Sequence, residues 1–147
     1  MLCAAAEALT ATDPARGAWL FGDVENVANH ITDEYTKAVA LHEVAKAVAA
    51  TDPGRAERIA DSITDERHKA VAMFEVAKAV VVTDPARAER IADSITEEPF
   101  RASALEQVAK AVAATDLGRA ERIADSITDE HRKASALSSV VKALVSN

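Results

Sequence analysis

Histidine is the first residue type to test for chemistry, because its ring can bind a metal or carry a proton near neutral pH. The chain holds four, at His30, His42, His68 and His131. Two of them lie beside acidic pairs, Asp65-Glu66 and Asp129-Glu130. No two histidines have the short spacing of a zinc motif, and the acidic pairs fall in different copies of a repeat. The pattern predicts solvated turn positions and no metal site.

Paired carboxylates are numerous and would suit general acid–base catalysis. Each belongs, however, to a repeated helix cap or to a charged face such as Glu57-Arg58-Asp61, and capping explains them. Cys3 lies near the N-terminus with no base assembled around it, and no glycine-rich phosphate loop is present. We therefore expect a non-enzymatic protein with no catalytic residue and no cofactor.

The charge of the chain disfavours several classes of partner. Its formal net charge is −7, and only 3% of its residues are aromatic. Without a basic patch or stacking aromatics, we expect no nucleic-acid and no membrane partner. A single cysteine excludes an internal disulfide, and no stretch approaches the roughly 20 apolar residues of a membrane span. These features favour a cytoplasmic protein.

An internal repeat organises the chain, and it predicts the elements that carry these residues. Thr51-Asp52-Pro53, Thr83-Asp84-Pro85 and Thr115-Asp116-Leu117 open three copies that begin 32 residues apart. After one variable residue, each copy continues Arg-Ala-Glu-Arg-Ile-Ala-Asp-Ser-Ile-Thr. We predict one repeat domain over 1–147 with units at 12–50, 51–82, 83–114 and 115–147.

The first unit is longer than the other three. It opens at Thr12-Asp13-Pro14, 39 residues before the next copy, and the extra seven residues lie around 17–23. Seven residues make about two helical turns, so a helix can gain them and keep the same face inward. We expect a longer first helix here. Residues 1–11 resemble the end of a preceding copy, which predicts a partial repeat helix.

Each copy has the pattern of two short helices. Asp52-Pro53 predicts an N-cap followed by proline at the first helical position, and Thr64-Asp65-Glu66 predicts a second helix start. We expect helices at about 53–63 and 66–81. The apolar residues with helical spacing, which predict the core, are Ala56, Ile59, Ala60, Ile63, Ala70, Met73, Val76, Ala77 and Val80. The predicted fold is all-α, an α-solenoid of about four tandem helical hairpins.

With its 32–39 residue period, Asp-Pro opening and small packing residues, the chain resembles the tetratricopeptide-like helical repeats. Its Thr-Asp-Pro-x-Arg-Ala and Ile-Thr-Asp-Glu motifs look more like short helical repeats of bacterial, especially actinobacterial, proteins. The resemblance covers about residues 12–147 and implies a scaffold for a protein or peptide. The tetratricopeptide consensus itself is not matched, because Trp19 occurs once and Asp-Pro opens the unit.

Positions that vary between copies are candidates for partner binding. Two columns three residues apart on the second helices vary most, and they comprise Val39, His42, Val71, Phe74, Ser103, Glu106, Ser135 and Ser138. The alternative is neutral drift on an exposed face. The constant first helices predict ladders that join neighbouring copies, formed by Arg58, Arg90 and Arg122 and by Asp61, Asp93 and Asp125.

An aromatic cluster, Trp19-Leu20-Phe21, is the other candidate. Trp19 and Phe21 would anchor a partner or cap the N-terminal end of the core, and we favour the cap. Three functions remain open: a non-enzymatic interaction scaffold, a self-assembling structural protein that uses the half-repeat at 1–11, or a small enzyme. The scaffold is the leading hypothesis.

Overall fold

The protein is all-helical, as the sequence predicts. The structure is a computed structural model that describes Ala8 and residues 12–146. Within these residues there are eight helices from α1 to α8 and no strand. In chain order they are α1 (Pro14–Asn29), α2 (Glu34–Val48), α3 (Pro53–Asp61), α4 (Glu66–Val80), α5 (Pro85–Ser94), α6 (Glu98–Val112), α7 (Leu117–Ser126) and α8 (Glu130–Ser146). Apart from Ala8, the predicted partial helix at 1–11 lies outside the described residues.

Aspartate caps start the first helix of every copy. Each cap carboxylate accepts a hydrogen bond from the backbone N–H of an arginine three residues later, with N···O distances of 2.9–3.2 Å. The four caps are Asp13, Asp52, Asp84 and Asp116. Proline follows the cap in α1, α3 and α5, whereas α7 begins with Leu117 and still has its cap. The cap is therefore sufficient without proline.

The second helices start in a similar way with one exception. Asp33, Asp65 and Asp129 each accept a hydrogen bond from the backbone N–H three residues on. The third copy has Glu97 instead, and this side chain makes no cap hydrogen bond. Pro99 occupies the first turn of α6, where a proline costs no helical hydrogen bond.

The extra residues of the first unit lengthen its first helix, which confirms that prediction. Helix α1 has 16 residues, whereas α3 has 9 and α5 and α7 have 10 each. Helix α3 ends at Asp61, two residues earlier than predicted, yet Ile63 beyond its end is still buried. The apolar pattern therefore identifies the buried face more accurately than the helix end.

The helices pack into two compact units, and the boundary between Ala72 and Met73 falls within α4. In the first unit α2 contacts α1 and α3. In the second, α6 contacts α5, α7 and α8. All nine residues predicted for the core of the second copy are buried. The core is built from small aliphatic side chains, which let helices approach closely.

The exception at Glu97 predicts a stabilising substitution. The backbone of Glu97 (φ −74°, ψ 107°) nearly matches that of Asp33 (φ −75°, ψ 115°), so a shorter carboxylate is already placed to cap α6. We expect Glu97→Asp to raise the free energy of unfolding by about 0.5–1 kcal/mol in urea titrations. Glu43→Asp, at an exposed position inside α2, is the matched control and should not stabilise. Equal effects of both changes would contradict a capping role.

Candidate interaction surface

Ion pairs between first helices recur with the same geometry in both units. Arg55 of α3 donates from Nε and Nη2 to Glu25 Oε2 of α1, at 2.8 and 2.6 Å. Two copies further along, Arg119 of α7 donates to Glu89 Oε2 of α5, again at 2.8 and 2.6 Å. All four side chains are half-buried. The two-point contact fixes the guanidinium relative to the neighbouring helix.

The predicted ladders of Arg58 and Asp61 with their equivalents are wrong. The equivalents of Arg58 are exposed, and the aspartates Asp61 and Asp125 pair within their own copy, with Lys69 at 3.3 Å and Lys133 at 3.6 Å. The observed pairing has a signal in the sequence, the spacing of Arg and Glu in Arg-Ala-Glu. Residues two positions apart on a helix point about 200° apart around its axis. The arginine and the glutamate of Arg-Ala-Glu therefore point to opposite sides of the helix.

A second contact between copies accompanies each of these ion pairs. Thr64 donates its hydroxyl to Glu34 Oε2 at 3.0 Å, and Thr128 donates in the same way to Glu98 Oε1. In both contacts the partners are 30 residues apart, as they are in the arginine pairs. Within each unit, the contact between its two copies therefore combines an ion pair with a hydrogen bond from a hydroxyl group.

The variable columns of the second helices are less open than the sequence predicts. Glu106 of α6 is buried, and its carboxylate accepts three hydrogen bonds. The donors are Lys110 Nζ at 2.6 Å, Ser135 Oγ at 2.7 Å and Arg132 Nη1 at 2.8 Å. Arg132 and Ser135 belong to α8, so this cluster joins the two helices. The Glu106 carboxylate therefore faces α8.

The protonation of Glu106 reflects this cluster. Burial by itself raises the pKa of the carboxyl, but the hydrogen bonds from Lys110, Ser135 and Arg132 outweigh it and lower the pKa to about 2. The side chain is therefore charged at neutral pH. The carboxylate accepts charge-assisted hydrogen bonds from its own helix α6 and from α8. These bonds offset much of the free-energy cost of burying a charged group.

The other column positions differ in their exposure. Of the eight, only Ser138 on α8 is exposed, and the six besides Glu106 are half-buried. The ring centroid of Phe74 lies 6.0 Å from Lys78 Nζ. Lys78 follows Phe74 by four residues, as Lys110 follows Glu106. The hydroxyl of Ser135 donates its hydrogen bond to Glu106. Partner binding by any of these positions stays a prediction.

The two aromatic candidates of α1 lie on different sides of the helix. Phe21 is buried, which fits the predicted cap of the core, whereas Trp19 is 70% exposed. On the flank of α1 away from Trp19 is an open depression of about 530 Å³ lined by Pro14, Ala18, Phe21, Thr51 and Asp52. Helix α1 thus offers an exposed aromatic ring and a shallow apolar site.

The histidines make local contacts. His68 Nδ1 lies 2.7 Å from Asp65 Oδ1, and its ring packs edge-on against Tyr35 with centroids 5.2 Å apart. Hydrogen bonds from His68 lower the pKa of Asp65. His30 Nδ1 lies 2.7 Å from the carbonyl of Asn26. Within the described ranges, no group of three or more His, Cys, Asp or Glu could hold a metal.

Comparison with known proteins adds no relative. No family model, curated protein or solved structure matches the chain. The helices and the internal repeat define the structural class, which is all-helical with a repeated sequence. Among the helices of the described part, none is long and apolar enough to cross a membrane.

The Glu106 cluster predicts a pH-dependent stability difference. Because the pKa is lowered from 4.5 to about 2, the carboxylate stabilises the fold above about pH 4.5 and loses this effect as pH falls toward 2. We expect Glu106→Gln to cost roughly 2–3 kcal/mol at pH 7, with a difference from the parent chain that shrinks below pH 4.5. Urea unfolding measured from pH 7 to 2.5 tests this.

Glu43→Gln is the matched control for this measurement, since Glu43 is an exposed carboxylate on α2. Its difference from the parent chain should be small at every pH. A Glu106→Gln difference that stays constant between pH 7 and 2.5 would show that the cluster does not stabilise the protein through its charge.

Proposed function

We propose that the protein is a non-enzymatic scaffold, an α-solenoid of about four tandem hairpins that binds a protein or peptide. The recurring contact between copies supports the solenoid. Arg55–Glu25 and Arg119–Glu89 have equal distances although they lie two copies apart, and Thr64–Glu34 and Thr128–Glu98 follow the same spacing. The two copies within each unit are therefore joined by the same contact, as neighbouring copies of a repeat protein are.

The partner site is proposed on α1, where the first unit departs from the other copies. The observation that carries this proposal is the exposure of the Trp19 ring, at 70% of its surface. Exposed tryptophan is common among residues that dominate binding energy, because it buries a large area with little loss of side-chain freedom. The copies at 51–147 have no tryptophan, so this feature is specific to the first unit.

The depression on the other flank of α1 suggests the chemistry of the partner. Its lining combines the apolar Pro14, Ala18 and Phe21 with the polar Thr51 and Asp52. Such a site suits a short peptide segment with one apolar side chain and a backbone or cationic group near Asp52. The resemblance to tetratricopeptide-like repeats also implies a protein or peptide partner. We propose that the scaffold acts in the cytoplasm.

Peptides selected from a displayed library against the immobilised chain provide the test. We expect Trp19→Ala or Ala18→Lys to weaken binding of the selected peptides at least tenfold, because the first removes the ring and the second fills the depression. Affinity is measured by titration, and the emission of Trp19, the only tryptophan, reports contact with α1.

Val82→Ala is the control, because Val82 is an exposed apolar residue far along the sequence from α1. It should leave the affinity unchanged, and thermal unfolding should confirm that all variants fold. Peptides that bind Trp19→Ala and Ala18→Lys as tightly as the parent chain would overturn the proposed site on α1.

A further inference from the structure

The ladder of arginine and glutamate pairs has an open position at each end. Arg55 and Arg119, which open the second and fourth copies, each pair with a glutamate 30 residues earlier. Arg16 is the arginine of the first copy and Glu121 is the glutamate of the last. Both are exposed, and neither side chain makes an ion pair with any described residue. One end of the ladder therefore presents a cation and the other an anion.

The hydroxyl link has the same open ends. Thr64 and Thr128 bind glutamates at the start of the second helix of the preceding copy. Thr32 is the equivalent threonine of the first copy, and Glu130 is the equivalent glutamate of the last. Both are exposed. The end carrying Arg16 thus also carries the hydroxyl donor, and the end carrying Glu121 also carries the acceptor.

The apolar face of α8 is uncovered where the same face of α6 is covered. Three positions of α6, Ala109, Val112 and Ala113, are 0%, 2% and 3% exposed in a helix that packs against α7 and α8. Their equivalents on α8 are Val141, Leu144 and Val145, which are 56%, 61% and 80% exposed. All three are larger than the α6 residues, so α8 presents more apolar surface than a buried helix of the same type.

Helix α1 has a complementary uncovered face. Val27 is 64% exposed, whereas its equivalents Ile59, Ile91 and Ile123 are 2–3% exposed. Helical spacing places Val27 on the side of α1 that carries Arg16 and Leu20, and about 180° from Glu25. This side therefore corresponds to the one that a first helix turns toward the copy before it.

We propose that a second copy of this chain docks head to tail, with its α1 on α7 and α8 of the first. The contact continues the one between consecutive copies. Arg16 of the second copy would pair with Glu121, Thr32 of the second copy with Glu130, and Val27 of the second copy would cover part of the α8 face. Opposite charges at the two ends favour this pairing over head-to-head or tail-to-tail contacts. Because the two surfaces differ, the contact is head to tail and gives rings or filaments.

Sedimentation velocity of the 147-residue chain over a concentration series tests the proposal. We expect reversible association that weakens at high salt, because the pairing is partly ionic. Glu121→Arg and Arg16→Glu should each weaken the association constant at least tenfold, and the two changes together should restore it by exchanging the charges. Leu144→Glu should abolish association, since it places a carboxylate on the apolar face.

Two control variants separate these effects from general changes in surface charge. Arg58→Glu alters an exposed arginine on a first helix outside the ladder, and Val82→Glu alters an exposed valine outside both end faces. Neither should change the association constant by more than about twofold, within the range of weak surface electrostatics. Circular dichroism should show that every variant folds.

Two outcomes would overturn the proposal. A parent chain that stays monomeric up to millimolar concentration would show that the two faces do not bind a second copy. Association that survives the single charge changes, or that the combined change does not restore, would show that another surface is used. Peptide binding at Trp19 is measured separately, so failure of either idea leaves the other intact.

Discussion

A hairpin of two short helices with small side chains cannot cover its own apolar face, and this constraint governs the structure. Its buried residues are mostly alanine, valine and isoleucine, so each helix must be approached closely by its neighbours. Helix α6 shows the satisfied case, with Ala109 and Val112 buried among neighbouring helices. On helix α8 the equivalent surface is uncovered, and Leu144 is exposed there.

Apolar contact alone would leave the order of nearly identical copies poorly defined, because it is non-directional. Polar contacts supply the direction. Arg55 and Arg119 each reach the first helix of the preceding copy, so Arg119 selects Glu89 by geometry. The Glu106 cluster adds a link between α6 and α8. In the first and second copies, His42 and Phe74 occupy the position of Glu106.

Departures from the repeat are concentrated in α1 and α8, and both proposals rest on them. In α1 a seven-residue insertion adds Trp19 and Phe21 and preserves the relation between Arg16 and Glu25, nine residues apart on opposite sides of the helix. In α8 the exposed residues Val141, Leu144 and Val145 are larger than the buried residues at the same positions of α6. A partner on α1 and a second copy on α8 are therefore separate consequences of one repeat with unlike ends.

Local interactions allowed the helices, their caps and their buried faces to be predicted from sequence. Asp52 caps the residues beside it, and Ile59 and Ala60 share a face through helical spacing, so neither depends on distant parts of the chain. The tertiary structure decided which charges meet. Arg55 binds Glu25 while Arg58 stays exposed, and Glu106 is buried by Arg132 and Ser135. These partners lie 26–30 residues away, and helix packing brings them together.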